Sequence, residues 1–210
     1  MSVSFLETPA QGSVRATLLL AHGAGAPMDS DFMELLSTAL SQQGIRVLRF
    51  EFPYMAARRQ GQGKRPPNPM PVLLESFREH YAALTGPLFI GGKSMGGRVA
   101  SMLADELSPA GVICFGYPFH PPGKPERTRT EHLAEARTQM LIVQGTRDPL
   151  GKPDEVVGYR LSEQIQLSWL ETGDHDFKPL KRSGLTQQQL IDQAASATWS
   201  FMQGCRSGLL

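Results

Sequence analysis

The sequence predicts an α/β protein: a mostly parallel, twisted sheet of about six to seven strands, helices on both faces, no large cap domain. Three observations predict it. Short apolar runs alternate along the chain with segments of helical periodicity. Most of those runs are apolar without interruption, as strands buried on both faces must be. The 210 residues suffice for one sizeable core, so residues 1–210 read as a single domain.

Residues 2–8 suit an edge strand, and residues 16–23 form the first apolar run. Over residues 30–43, Phe32, Leu35, Leu36, Ala39 and Leu40 recur at helical spacing, and Gly44 suits the stop. Residues 45–53 are the second strand. Residues 53–71 read as a long loop holding Arg58, Arg59, Lys64 and Arg65 and no acid. Leu73, Leu74, Phe77, Tyr81 and Leu84 then stripe a second helix, on which His80 falls on a largely polar face. Strands follow at 87–92, 111–116 and 139–145, with a helix marked by Val99, Met102, Leu103 and Leu107 after the first of them. A second loop, 117–130, follows the fourth strand. Residues 165–170 alternate apolar with polar, which suits an edge. Thr186 and Gln189 form a T-x-x-Q capping box opening a last helix through Leu190, Ile191, Ala194, Ala197, Thr198 and Phe201.

The chemistry centres on Gly92-Lys93-Ser94-Met95-Gly96, a G-x-S-x-G between a strand and a helix. A sharp turn there lifts the hydroxyl above the sheet and leaves no room for side chains two residues to either side. A serine hydroxyl needs a base, an acid to orient that base, and donors for an oxyanion. His175 follows the sixth strand and is the candidate base; His120, in the second loop, is its rival. Asp148, just past the fifth strand, is the candidate acid, while Asp174 and Asp176 suit turn-shaping roles beside the histidine. The order Ser94, Asp148, His175 is the nucleophile–acid–base order of an elbow hydrolase. Met95 and Ala24 are the candidate oxyanion donors, Ala24 from the small-residue turn His22-Gly23-Ala24-Gly25-Ala26. His22 is placed to brace that turn. His22, Tyr117, His120, Arg58 and Arg59 are the candidate substrate contacts, with Lys64, Arg65, Lys124, Arg127 and Arg129 completing a basic rim. Gly92-Lys93-Ser94 also ends like a phosphate-binding loop, but that loop's first glycine would fall on Pro87.

A net charge of +1 gives no overall field to recruit nucleic acid. No run reaches the ~20 apolar residues of a membrane span. The start of the chain lacks the basic and apolar regions of a secretory signal, and two distant cysteines make neither a disulfide framework nor a metal site. The expectation is a cytoplasmic enzyme with no metal or cofactor, acting on a small-molecule ester or thioester.

These motifs together resemble the α/β-hydrolases over nearly the whole chain. More narrowly, the chain is similar to the small-hydrolase family that includes testis-expressed protein 30 and a hydrolase-like subunit of the NSL chromatin complex. The resemblance rests on residues 20–26, 91–98, 116–123, 144–148 and 173–177. It implies the α/β-hydrolase fold and a Ser94–Asp148–His175 triad. The chromatin relative implies the alternative, a non-catalytic scaffold that keeps the fold.

Overall fold

In the computed structural model, which describes residues 3–207, the strands are β1 (Leu6–Thr8), β2 (Ala16–Ala21), β3 (Ile45–Phe50), β4 (Phe89–Lys93), β5 (Gly111–Phe115), β6 (Met140–Gly145) and β7 (Ile165–Leu170). The helices are α1 (Asp31–Gln42), α2 (Pro53–Arg59), α3 (Met70–Ala82), α4 (Met95–Leu107), α5 (Glu131–Ala134), α6 (Pro153–Val156) and α7 (Gln187–Ser207). All seven strands form one sheet in the order β1-β3-β2-β4-β5-β6-β7. Only β1 runs antiparallel to its neighbour. The expected edge strand at 2–8 is β1; Ser2 lies outside the described residues.

Strand order fixes where a ligand can sit. From β2 the chain turns to β3 on one side, then returns to β4 on the other. Right-handed crossovers in opposite directions send the helices to opposite faces. A crevice opens between the carboxyl ends of β2 and β4, where the direction reverses. The turn after β2 and Ser94 after β4 both lie at that crevice.

Alternation along the buried strands divides the core into two layers. Leu18, Leu20, Val47, Phe89, Ile113, Phe115, Leu141 and Val143 pack with α1 and α7 residues such as Leu36, Leu40, Leu190 and Ala194. Leu19, Ala21, Leu48, Phe50, Ile90, Val112, Cys114 and Ile142 pack with Leu73, Phe77, Val99 and Leu103 of α3 and α4. Each fully buried aliphatic or aromatic side chain stabilises by about 1.5–3 kcal/mol. The continuous apolar runs are thus two alternating patterns superposed. β7, at the sheet edge, is half-buried, with Gln166 and Leu167 exposed and only Leu170 buried. The capping box at α7 forms both bonds: Thr186 N–H donates to Gln189 Oε1 (2.8 Å) and Gln189 N–H to Thr186 Oγ1 (3.2 Å).

The structure corrects two expectations. Part of the loop at 53–71 is helical: α2 occupies 53–59, started by Pro53 at its first position and anchored by buried Tyr54 and Met55. His80 does not face solvent. It is buried, stacks on Phe50 with ring centroids 4.2 Å apart, and bonds the Ser76 carbonyl through Nδ1 (2.7 Å). Among the described residues, no helix is long and apolar enough to cross a membrane.

Candidate active site

Ser94 links the last residue of β4 to the first of α4 with φ 51° and ψ −114°, a backbone conformation that non-glycine residues avoid. Its flanks explain how the turn closes. A Cβ on Gly92 would lie 2.4 Å from the carbonyl carbon of Gly96, and one on Gly96 would lie 2.6 Å from the Ala21 and His22 oxygens. Both glycines let β2, β4 and the start of α4 meet backbone to backbone. Ser94 N–H donates to Phe115 O (2.9 Å), which ties the turn to β5. Met95, at the head of α4, keeps an N–H with no carbonyl in its own helix.

The small-residue turn after β2 lies against this elbow: a Cβ on Gly23 would sit 3.7 Å from the Ser94 Cβ. The Gly23 carbonyl is bonded by His22 Nδ1 (2.7 Å) and accepts from Tyr54 Oη (3.3 Å). Tyr54 Oη shares that one proton with Ala24 O, at the shorter distance of 2.9 Å. In a trans peptide the N–H points opposite the C=O. Holding the Gly23 carbonyl toward Tyr54 therefore turns the Ala24 N–H away from Tyr54.

His175 Nε2 lies 3.0 Å from Ser94 Oγ, and its Nδ1 lies 2.7 Å from Asp148 Oδ2. Asp148 is fully buried. It also accepts from Gln144 Nε2 (3.0 Å, on Oδ2) and from Leu150 N–H (2.9 Å, on Oδ1). With the carboxylate accepting at Nδ1, the ring's Nε2 is left as an acceptor for the serine proton. The histidine loop is held against the end of β6, where a Cβ on Gly145 would come 2.3 Å from the Gly173 oxygen. Asp174 Oδ1 accepts from the N–H groups of Asp176 and Lys178 (2.9 Å each), the turn-shaping role expected of it. Buried Phe177 anchors the loop against Phe32, ring centroids 5.4 Å apart.

A cavity of about 520 Å³ opens beside these groups. Ser94, His175, Gly23, Ala24, Phe32 and Lys93 are among its lining residues. That volume falls within the range of small-molecule sites.

A family model described as an alpha/beta hydrolase domain matches residues 14–203. The chain belongs to this alpha/beta hydrolase family. Solved structures agree in fold. A serine hydrolase homologue from Coxiella burnetii superposes with a TM-score of 0.72 at 17% identity, covering 92% of this chain and 90% of that one. A Xanthomonas campestris serine hydrolase without a lid gives 0.65 at 19%, covering 97% and 88%. Est1E of Butyrivibrio proteoclasticus, bound to ferulic acid, gives 0.69 at 14%, covering 97% and 95%.

Within this α/β-hydrolase the expected substrate contacts are not brought to the cavity. His22 is buried with both ring nitrogens engaged: Nδ1 with Gly23 O, and Nε2 accepting from Phe52 N–H (3.1 Å). Burial pushes its pKa down, so it acts as a neutral brace. Tyr117 is buried and spends its hydroxyl on Arg129 O (2.8 Å). The rival base His120 is buried too, with Nδ1 on Pro121 O (2.9 Å) and Nε2 3.6 Å from Glu155. Arg59 pairs with Glu51 (2.7 Å) and Asp29 (2.8 Å), bonds that raise its pKa, and with Arg58 it lines a separate hollow of about 230 Å³. None of Arg58, Arg59, Lys64, Arg65, Lys124, Arg127 or Arg129 lines the main cavity; its cations are Lys93 and Lys178. The cavity opens toward α1 and the histidine loop, not toward α2 and the 117–130 loop.

Three residues at the site went unread in the sequence: Lys93, Gln144 and Tyr54. Two carried a signal. Lys93 and Gln144 are polar residues in strands that are otherwise buried. A buried polar side chain must be given partners. Among the described residues there is no group of three or more His, Cys, Asp or Glu side chains that could hold a metal.

Proposed function

We propose that this protein is a serine hydrolase that cleaves a carboxylic ester or thioester through an acyl-Ser94 intermediate. The observation that carries the reading is the continuous chain from Ser94 Oγ to His175 Nε2 (3.0 Å) and from Nδ1 to the buried Asp148 (2.7 Å), opening on the cavity. The reaction follows from these contacts. His175 takes the Ser94 proton as Oγ attacks the carbonyl carbon. The oxyanion forms beside the Met95 and Ala24 amides, which donate to it. Asp148 stabilises the imidazolium and keeps the ring in its orientation. The tetrahedral species collapses, and His175 returns the proton to the leaving alkoxide or thiolate. A water, deprotonated by His175, then attacks the acyl-serine; collapse frees the carboxylic acid and restores the Ser94 hydroxyl. The likeness of residues 91–98 and 173–177 to the testis-expressed protein 30 family supports the same reading. We place the reaction in the cytoplasm, where the free thiols of Cys114 and Cys205 stay reduced.

The test is labelling with a fluorophosphonate, which reacts only with an activated serine. The folded protein takes one label, on Ser94, and Ser94→Ala takes none. A folded protein that resists the reagent across pH 6–9 overturns the reading and leaves a binding scaffold.

A further inference from the structure

We propose that Lys93 is a positioning residue for His175: its ammonium, anchored on Asp176, holds the His175 carbonyl and so fixes the imidazole against Ser94. The inference deepens the serine-hydrolase reading and rests on it. Lys93 ends β4, directly before Ser94, yet its side chain is only 7% exposed. Nζ donates to His175 O (2.6 Å), lies 3.3 Å from Asp176 Oδ1, and sits 5.1 Å from the centroid of the Phe32 ring. An ammonium has three N–H groups, and three partners surround it.

Packing does not account for the charge. An unbranched apolar side chain of similar length would fill the space without desolvating an ion. What the ammonium adds is a grip on two consecutive residues of the segment that carries His175. That segment has no regular structure between Leu170 and the 3-10 turn at Lys181–Ser183; backbone bonds such as Arg147 N–H to Gly173 O (2.9 Å) and Asp174 N–H to Lys178 O (3.0 Å) hold it, and side chains add to them. Asp174 ties it from within, and Gln187 Nε2 donates to Asp176 O (2.7 Å) from the head of α7. Lys93 ties it to the strand that bears the serine. The ammonium and the imidazole are neighbours across Gly116: a Cβ there would lie 3.1 Å from Lys93 Nζ and 3.3 Å from His175 Nδ1.

The charge is poised as well as buried. Burial lowers the Lys93 pKa, and Asp176, then Asp148 and Asp174, oppose that shift. These carboxylates are the acids facing Nζ, from the histidine loop and from the end of β6; α1 presents the uncharged Phe32 ring. Asp31 and Lys178 line the same cavity. Loss of the ammonium proton on the alkaline side weakens the hold on His175 O and ends the pairing with Asp176.

The experiment follows the rate of Ser94 labelling by an alkyl fluorophosphonate from pH 6 to pH 10.5 in wild type, Lys93→Met, Lys93→Arg and Asp176→Asn, each checked for folding by circular dichroism. Losing a charge-assisted bond, Lys93→Met labels about 10- to 100-fold more slowly, without the alkaline fall of the wild type. Lys93→Arg recovers part of the rate and holds it to higher pH, because a guanidinium stays charged. In Asp176→Asn the alkaline fall moves to lower pH, because the carboxylate that most raises the ammonium's pKa is gone. If Lys93→Met does not fold, the Asp176→Asn profile decides alone. Coincident profiles in wild type and Asp176→Asn, or a folded Lys93→Met labelled at the wild-type rate, overturn the proposal. Failure of the hydrolase reading is a different result, a wild type that takes no label at any pH, and this inference falls with it.

Discussion

Ser94 Oγ and His175 Nε2 approach to 3.0 Å; two turns into α4, Ser101 Oγ and His132 Nε2 approach to 2.9 Å. By distance the pairs are equivalent, but their protons run in opposite directions. Ser101 Oγ donates to Arg98 O (2.8 Å), so its one proton is spent and it can only accept from His132 Nε2–H. At the other pair Asp148 accepts a hydrogen bond from Nδ1–H, which keeps that proton on Nδ1 and leaves Nε2 free to accept from Ser94. The backgrounds differ too. Ser94 sits at positive φ and lines the cavity, while Ser101 lies inside a regular helix and does not. Burial, reinforced by Arg98, lowers the pKa of His132 to about 4. A serine beside a histidine is therefore no dyad until an acid sets the tautomer and a cavity meets the hydroxyl.

The largest effect comes from exchanging the two serines' fates. Ser94→Ala is expected to lose about 10⁴-fold or more in kcat, and Asp148→Asn a similar factor by leaving the ring in the wrong tautomer. Ser101→Ala is expected to stay within about 3-fold, since the hydroxyl it removes bonds its own helix, His132 and Tyr117, away from the cavity. Steady-state kinetics on one ester that the wild type cleaves measures all three. Comparable losses at Ser94 and Ser101 would erase the distinction.

A smaller effect sharpens what else the cavity-side pair has. Tyr54 is the hydroxyl that fixes the turn beside Ser94, through Gly23 O and Ala24 O. Tyr54→Phe removes the one hydroxyl proton those two carbonyls share, and with Ala24 N–H as the proposed oxyanion donor about 3- to 10-fold in kcat is expected, with KM nearly unchanged. A fall confined to KM would place Tyr54 among substrate contacts instead.

The sequence carried those parts of the site that backbone sterics and strand order impose. Gly92 and Gly96 are required by contacts of 2.4–2.6 Å, so the elbow is written as a glycine pattern. Asp148 and His175 follow the ends of β6 and β7, so their positions come with the topology. The rim was not legible. Arg58, Arg59, Arg127 and Arg129 follow strand ends too, but loop direction is set by packing that has no period, such as burial of Tyr54 and Met55 beneath α2. Lys93 and Gln144 fall between these cases. Each is a polar residue in a buried strand whose partners lie elsewhere in the chain: His175, 82 residues on, for Lys93, and Asp148 and Tyr117, 4 and 27 residues away, for Gln144.

The smallest effect concerns stability, and it belongs to the Ser101–His132 pair. His132 has a pKa of about 4 in the folded chain against 6.5 for an unperturbed histidine. The unfolded chain thus binds the proton more readily, and the contribution of neutral His132 is complete above about pH 6.5. It declines as pH falls and is lost below the folded value of about 4. His132→Gln keeps a polar side chain but cannot titrate in that window. Buried His22 and His80 are also shifted down, but they are common to both proteins and cancel in the difference. Urea unfolding at pH 7.5, 6.0 and 5.0 should therefore show the wild type's advantage over His132→Gln shrinking as pH falls. A gap that stays constant would mean His132 takes up a proton in place, and Ser101 would then face a cation rather than a neutral ring.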